Sequence, residues 1–188
     1  MMKLNTAVAF SLLGMILFSG TSQANCTFSL TSEQRSMKTV DMPPVGFSLG
    51  DMVFFYSDLI YQGKTIGTVI VDTQTDRMPN AAAANTGQYE QRLTIAQYHT
   101  GGVDSIVTIG DFFYPNSNSA MAMDIPQVRA VSGGTGKFKF ARGQVTITRT
   151  ADSTYQHLFE LDVKPSLCKF LTAPTVGACG SQAGSRAC

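Results

Sequence analysis

Between residues 27 and 163 the sequence is a succession of short strand-like runs separated by turn residues, with no helical apolar period. The runs are 27–35 (TFSLTSEQR), 52–61 (MVFFYSDLIY), 66–73 (IGTVIVDT), 88–98 (QYEQRLTIAQY), 103–113 (VDSIVTIGDFF), 121–131 (MAMDIPQVRAV), 137–149 and 154–163. Pro43-Pro44, Gln62-Gly63-Lys64, Thr100-Gly101-Gly102 and Pro115-Asn116 break the chain between them. The stretch from Thr75 to Gly87, with its run of alanines, reads as a loop. Pro126 cannot donate to a ladder, so it is expected at a bulge or an edge. Eight evenly spaced strands predict an all-β sandwich or barrel.

Two of the runs say more. In the last, Tyr155, His157, Phe159, Leu161 and Val163 share one face, and Gln156, Leu158, Glu160 and Asp162 share the other. That alternation marks a half-buried antiparallel strand. In the second, Met52, Phe54, Tyr56 and Ile60 line one face and Val53, Phe55, Leu59 and Tyr61 line the other. A strand apolar on both faces must be covered on both, in a barrel by the interior on one side and a second layer or subunit on the other.

The chain opens with Lys3, an uncharged apolar run from about Ala7 to Phe18, and Ser22-Gln-Ala24. This is the pattern of an export signal with an A-x-A-like cleavage site, so residues 1–24 read as a cleaved leader. The run is shorter than the about 20 residues a membrane-spanning helix needs. Without Lys3 the formal charge of +1 falls to zero, which leaves no field to attract nucleic acid or an anionic membrane. A secreted or periplasmic location is expected. The four cysteines, Cys26, Cys168, Cys179 and Cys188, then read as disulfides. No C-x-x-C occurs and neither His lies near a Cys, so no metal site is expected. Residues 25–164 form the expected domain. Residues 165–188, rich in Ala, Gly and Ser, read as a disulfide-stapled tail.

The stretch VSGGTGKFKFARGQ, residues 131–144, could be taken for a phosphate-binding loop. Such a loop opens a helix, whereas Lys-Phe-Lys-Phe has the period of a strand, and no G-K-[ST] follows. A hairpin turn fits better, its glycines supplying positive φ. Phe138 and Phe140 have one parity, Val145 and Ile147 the other. A β-bulge at Ala141-Arg142-Gly143 would reconcile them and re-aim Arg142, either into a rim salt bridge or into the barrel mouth.

GGTGKFKFARG closely resembles the signature of plant dirigent proteins, and SLGDMVFFYSDLIYQGKTIG, residues 48–67, resembles a segment of allene oxide cyclases. The resemblance covers about residues 27–163. It implies an eight-stranded antiparallel barrel, usually a homotrimer, with an apolar cavity that binds a small apolar molecule and needs no cofactor. Lipocalins, the competing eight-stranded barrels, carry an early Trp, and this chain has none. At the pocket proline of the cyclases this chain has Phe54, and where several dirigent proteins carry an acid it has Lys137. Arg142 matches the arginine of the dirigent motif, and Glu33 is matched to a glutamate deep in the cyclase barrel.

The candidate catalytic residues are therefore Asp58, Arg142 and Glu33, and the candidate ligand contacts are Phe54, Tyr56, Tyr61 and Tyr98. Asp58 among apolar neighbours would act as an acid; near a strand end it would instead be salt-bridged or solvated. Two functions remain: an exported barrel guiding the cyclisation or stereoselective coupling of an apolar ligand, or a noncatalytic binding or structural module on the same barrel. In a closed eight-stranded up-and-down barrel the first strand starts where the last ends. Cys26 and Cys168 should then come within disulfide reach, leaving Cys179 and Cys188 to pair in the tail; Cys26 with Cys179 or Cys188 is the rival pairing.

Overall fold

The structure is a computed structural model that describes residues 25–46, 48–77, 89–115, 120–164 and 166–168. The expected leader, Cys179 and Cys188 lie outside the described residues. The strands are β1 (Cys26–Val40), β2 (Met52–Tyr61), β3 (Lys64–Arg77), β4 (Tyr89–His99), β5 (Ser105–Pro115), β6 (Gln127–Thr135), β7 (Arg142–Ala151) and β8 (Thr154–Asp162). They close into one antiparallel barrel in sequence order. Among the described residues no helix is long and apolar enough to cross a membrane.

The seam is the antiparallel pairing of β1 with β8, in register from Cys26 opposite Leu161 to Glu33 opposite Thr154. Cys26 and Cys168 form a disulfide across it, with 5.2 Å between Cα atoms, as the up-and-down topology requires. The bridge links residues 142 positions apart.

β1 runs on to Val40 and β3 to Arg77, into the stretch expected as a loop, and the sixth and seventh strands are shifted from the sequence expectation. The sixth begins at Gln127, just after Pro126, and extends through Gly133 and Gly134. Those glycines are therefore strand residues, not the hairpin turn. A Cβ on Gly134 would lie 2.4 Å from the Ser105 carbonyl oxygen and 2.7 Å from Phe138 Cβ, so only glycine fits. The turn itself is a 3-10 segment, Gly136–Phe138, and β7 starts at Arg142. Phe138 is buried while Phe140, at φ 70°, faces outward. The parity change thus comes from a turn between the phenylalanines and β7, and no bulge is needed at Ala141-Arg142-Gly143. Val131 pairs with Gly143 in an unbroken ladder. The bulges lie elsewhere, including one on β6, where Ser132 is the extra residue between Val131 and Gly133.

The strand directions divide the interior into two halves. The end holding Cys26, Leu161 and the 3-10 turn is apolar. Phe28 stacks on Phe159 with centroids 4.9 Å apart, Tyr98 meets Phe159 edge-on at 5.0 Å, and Leu30, Leu59, Ile106 and Phe138 fill the space between. The other half is polar. There the inward positions hold Ser32, Ser57, Thr73, Thr75, Glu90, Arg92, Thr94, Gln127, Arg129 and His157, all buried.

The disulfide constrains almost the entire barrel. Cys168→Ser should cost about 2–5 kcal/mol in chemical denaturation, since the closed loop is long. Nonreducing peptide mapping should recover a Cys26–Cys168 linked peptide.

Candidate functional site

The polar half holds a partly open cavity of about 40 Å³, room for a few waters. Ser32 and Gln34 of β1, Phe55 and Ser57 of β2, Val69 and Val71 of β3, Phe112 and Tyr114 of β5, Arg129 of β6, Ile147 of β7, and Tyr155 and His157 of β8 line it, with Met121 from the segment before β6. Met121 is held by its own backbone: its carbonyl accepts from Arg149 Nη1 at 3.1 Å, and the following Asp124 N–H donates to the Arg149 carbonyl at 2.9 Å.

A hydrogen-bonded chain crosses the barrel beside the cavity. Ser32 Oγ lies 2.8 Å from His157 Nε2, and Tyr98 Oη lies 3.0 Å from His157 Nδ1. Burial, reinforced by the Arg129 charge, pushes the His157 pKa down to about 3, so the imidazole is neutral. A neutral imidazole has one N–H and one lone pair, so one hydroxyl donates to the ring and the other accepts from it. The chain is therefore polarised along its length. Burial pushes the Tyr98 and Tyr114 hydroxyls up to about 12, so both stay protonated.

Two arginines point into the same half. Arg92 is paired: its Nε donates to Glu90 Oε1 at 2.6 Å and its Nη2 to Oε2 at 3.2 Å, and Thr75 Oγ1 adds a bond to Oε1 at 2.7 Å. Its guanidinium lies over the Tyr114 ring, 4.3 Å from the centroid. Among the described residues Arg129 has no carboxylate partner. Its guanidinium stacks on Phe112 at 3.5 Å, and its Nε and Nη1 meet no hydrogen-bond partner. Burial pushes its pKa down. Gly110 on β5 makes room for it: a Cβ there would lie 3.3 Å from Arg129 Cγ. Among the described residues no group of three or more His, Cys, Asp or Glu could hold a metal ion.

The structure separates the residues that the sequence grouped. The inward face of β2 is that of Val53, Phe55, Ser57 and Leu59. Phe54, Tyr56 and Asp58 therefore stand on the outer wall. Asp58 accepts from Arg35 Nε at 2.8 Å, and Glu33 lies 3.2 Å from Arg35 Nη2, so both carboxylates belong to an outer ion-pair network away from the cavity. Arg142 is exposed at the apolar end, and its Nη1 donates to the Ala141 carbonyl at 2.8 Å. It does not share an opening with Asp58. Tyr61 and Tyr98 face inward: Tyr61 packs against the apolar core, and Tyr98 reaches the cavity only through His157. Sequence reasoning missed Arg129, Glu90, Arg92 and Ser32. Gly110, a glycine inside a strand, was the signal that a bulky neighbour approaches closely.

The fold is that of the barrel shared by dirigent proteins and barrel cyclases. No protein-family model and no curated protein matches the sequence. Among solved structures the chain is similar to a pyocyanin demethylase (TM-score 0.56, 18% identity, 72% of this chain and 99% of that one). It is similar to a nonspecific heme-binding cyclase that catalyses a cycloaddition during neoabyssomicin biosynthesis (TM-score 0.54, 16% identity, 81% and 78%). The pterocarpan synthase dirigent protein also shares the fold (TM-score 0.51, 15% identity, 85% and 98%).

Two outcomes test this site. The unfolded chain protonates histidine near 6.5, whereas folded His157 does so near about 3. Between those values the unfolded state holds the extra proton, so stability should fall as pH is lowered from 6.5. His157→Gln should flatten that slope in urea melts. Glu90→Gln should cost about 3–5 kcal/mol by leaving Arg92 buried without its counter-charge, and the Glu90→Met, Arg92→Met pair should cost less.

Proposed function

We propose that the chain is an exported barrel that takes a small, largely apolar molecule into its polar half and holds it in one folded pose for cyclisation or coupling, without a cofactor. The observation that carries this reading is the cavity itself: apolar and aromatic side chains, Phe55, Val69, Val71, Phe112 and Ile147 among them, share its wall with Ser32, Ser57, Arg129 and His157, and one neutral hydrogen-bond chain, Ser32–His157–Tyr98, runs beside it. Chemistry of this kind asks an enzyme for pose, dehydration and one or two hydrogen bonds. The solved barrels of the same fold include a cyclase and a dirigent protein, which supports the choice. The Cys26–Cys168 disulfide supports export to an oxidising compartment.

The second reading is a noncatalytic binding module. It is favoured by the size of the cavity, about 40 Å³ where an ordinary ligand pocket has about 300–1,000 Å³, and by the fate of the buried carboxylates. Glu90 is taken by Arg92 and Thr75, and Asp51 accepts from the Met42 and Ser48 backbone N–H groups. Neither is free to move a proton at the cavity.

A homotrimer is part of the proposal. The outer wall carries Tyr56, Ile70, Leu93, Ile95 and Ile109, all exposed. Tyr56 pairs with Ile70 and Ile95 with Ile109 across adjacent strands, while between β3 and β4 Ile70 faces Gln97 and Ile95 faces Asp72. Exposed apolar pairs grouped on one wall are the feature that supports an association face.

Flexible diene or polyene substrates, analysed by chiral chromatography, test the catalytic reading. A stereoisomer excess lost in the cavity-filling variant Ser57→Phe is expected; racemic product at the uncatalysed rate would leave only the binding module. Light scattering should give three times the monomer mass, and a monomer at micromolar concentration would remove the trimer.

A further inference from the structure

Among the described residues Arg129 is a buried cation without a counter-charge. Only 4% of its surface is exposed, and it lines the cavity. Nε and Nη1 lack partners, so each of the two fork edges of the guanidinium carries at least one free donor. The titratable groups coupled to it are Tyr98, Tyr114 and His157; no carboxylate is among them. The nearby acid, Glu90, is already held by both Nε and Nη2 of Arg92. Arg149 at the rim has its own partner in Asp152, 2.6 Å away.

Leaving such a group unsatisfied is expensive. A buried donor without a partner loses its hydration with nothing in return, and a charged one loses more. The barrel holds the group in place all the same. Gly110 gives up a side chain to admit the stem, and Phe112 supplies a ring face for the planar cation. Both supports orient the guanidinium without neutralising it. Stacking leaves the in-plane donors free, which is the geometry that recognises a planar, two-oxygen acceptor.

We propose that Arg129 is a carboxylate seat: the ligand of the barrel is a small, largely apolar carboxylic acid whose anionic group pairs with Arg129 while its apolar part lies against Phe55, Val71 and Ile147. This rests on the cavity being the ligand site and adds the chemical class of the ligand. The Ser32–His157–Tyr98 chain, being uncharged, gives a hydrogen bond without competing for the anion.

The test uses acetate and acetamide, two probes of similar shape that differ in charge and are small enough for a cavity of about 40 Å³. Binding to the full chain is followed by two-dimensional NMR, including the Arg129 Nε–H resonance. At pH 7 acetate should bind about tenfold more tightly than acetamide, and it should shift the Arg129 Nε–H. In Arg129→Met the preference should vanish while acetamide still binds. Equal binding of the two probes to the wild-type chain overturns the carboxylate seat and leaves the cavity reading intact. Failure of both to shift any inward-facing residue overturns the cavity reading and the seat with it. Should Arg129→Met not fold, the wild-type difference between the probes and the Nε–H shift still decide the matter.

Discussion

Everything in this molecule depends on the pairing of β1 with β8. A sheet of eight strands left open would present two edges and two faces, and its side chains would divide between them loosely. Closing the seam removes the edges and makes one face an interior. With eight strands that interior is just wide enough for side chains to fill, so each inward residue must pack or find a partner. The two halves of the barrel meet that demand differently. One stacks aromatic rings under the disulfide. The other is built from hydroxyls, an imidazole, an ion pair and an arginine.

The polar half is a costly construction, and its parts are coupled. Burial lowers the pKa of His157 and the Arg129 charge lowers it further, which keeps the imidazole neutral and the hydroxyl chain intact. Arg92 lies over Tyr114, whose ring also lines the cavity, so the Glu90–Arg92 pair shapes the wall as well as balancing its own charge. In a low-dielectric enclosure these terms act over longer distances than they would in water. A change at one of them reaches the others through charge rather than through contact.

The strand count, the closure and the Cys26–Cys168 bridge were legible in the sequence because turn residues and period-2 runs report backbone geometry directly. The last strand was legible too: His157, Phe159 and Leu161 all face inward, as the alternation implied. The site was not, for a physical reason. In β4 the apolar Leu93 and Ile95 face outward and Glu90, Arg92 and Thr94 face inward. In β6 Val128 faces outward and Arg129 inward. A reading that sends apolar residues to the core turns these strands inside out. In β2 both faces are apolar, so the alternation could not say whether Asp58 faced the cavity, and it does not. Lys-Phe-Lys-Phe imitated a strand because alternation over so few residues also fits a 3-10 turn that buries Phe138, followed by a positive-φ residue, Phe140, that faces outward.

What holds the inverted strands in place is their apolar end. A one-residue slip of β4 would bring Leu93 and Ile95 inside and give the polar half a conventional core. The same slip would turn Ala96 and Tyr98 outward and put Gln97 and His99 among the rings of the apolar half. β4 and β5 pair without a register shift from Tyr89 to His99, so nothing along β4 can absorb the slip locally. Tyr98, fully buried and bonded to His157, thus fixes the direction of Arg92 and Glu90 six and eight residues away along the strand. β6 works the same way. Val131 is buried and its bulge lies beyond it, at Ser132, so the parity between Val131 and Arg129 is unbroken. The well-packed end therefore dictates register, and the polar end accepts the arrangement that register imposes. A cation without a counter-charge can persist inside the barrel because the packing that keeps it there lies at the other end of the same strands.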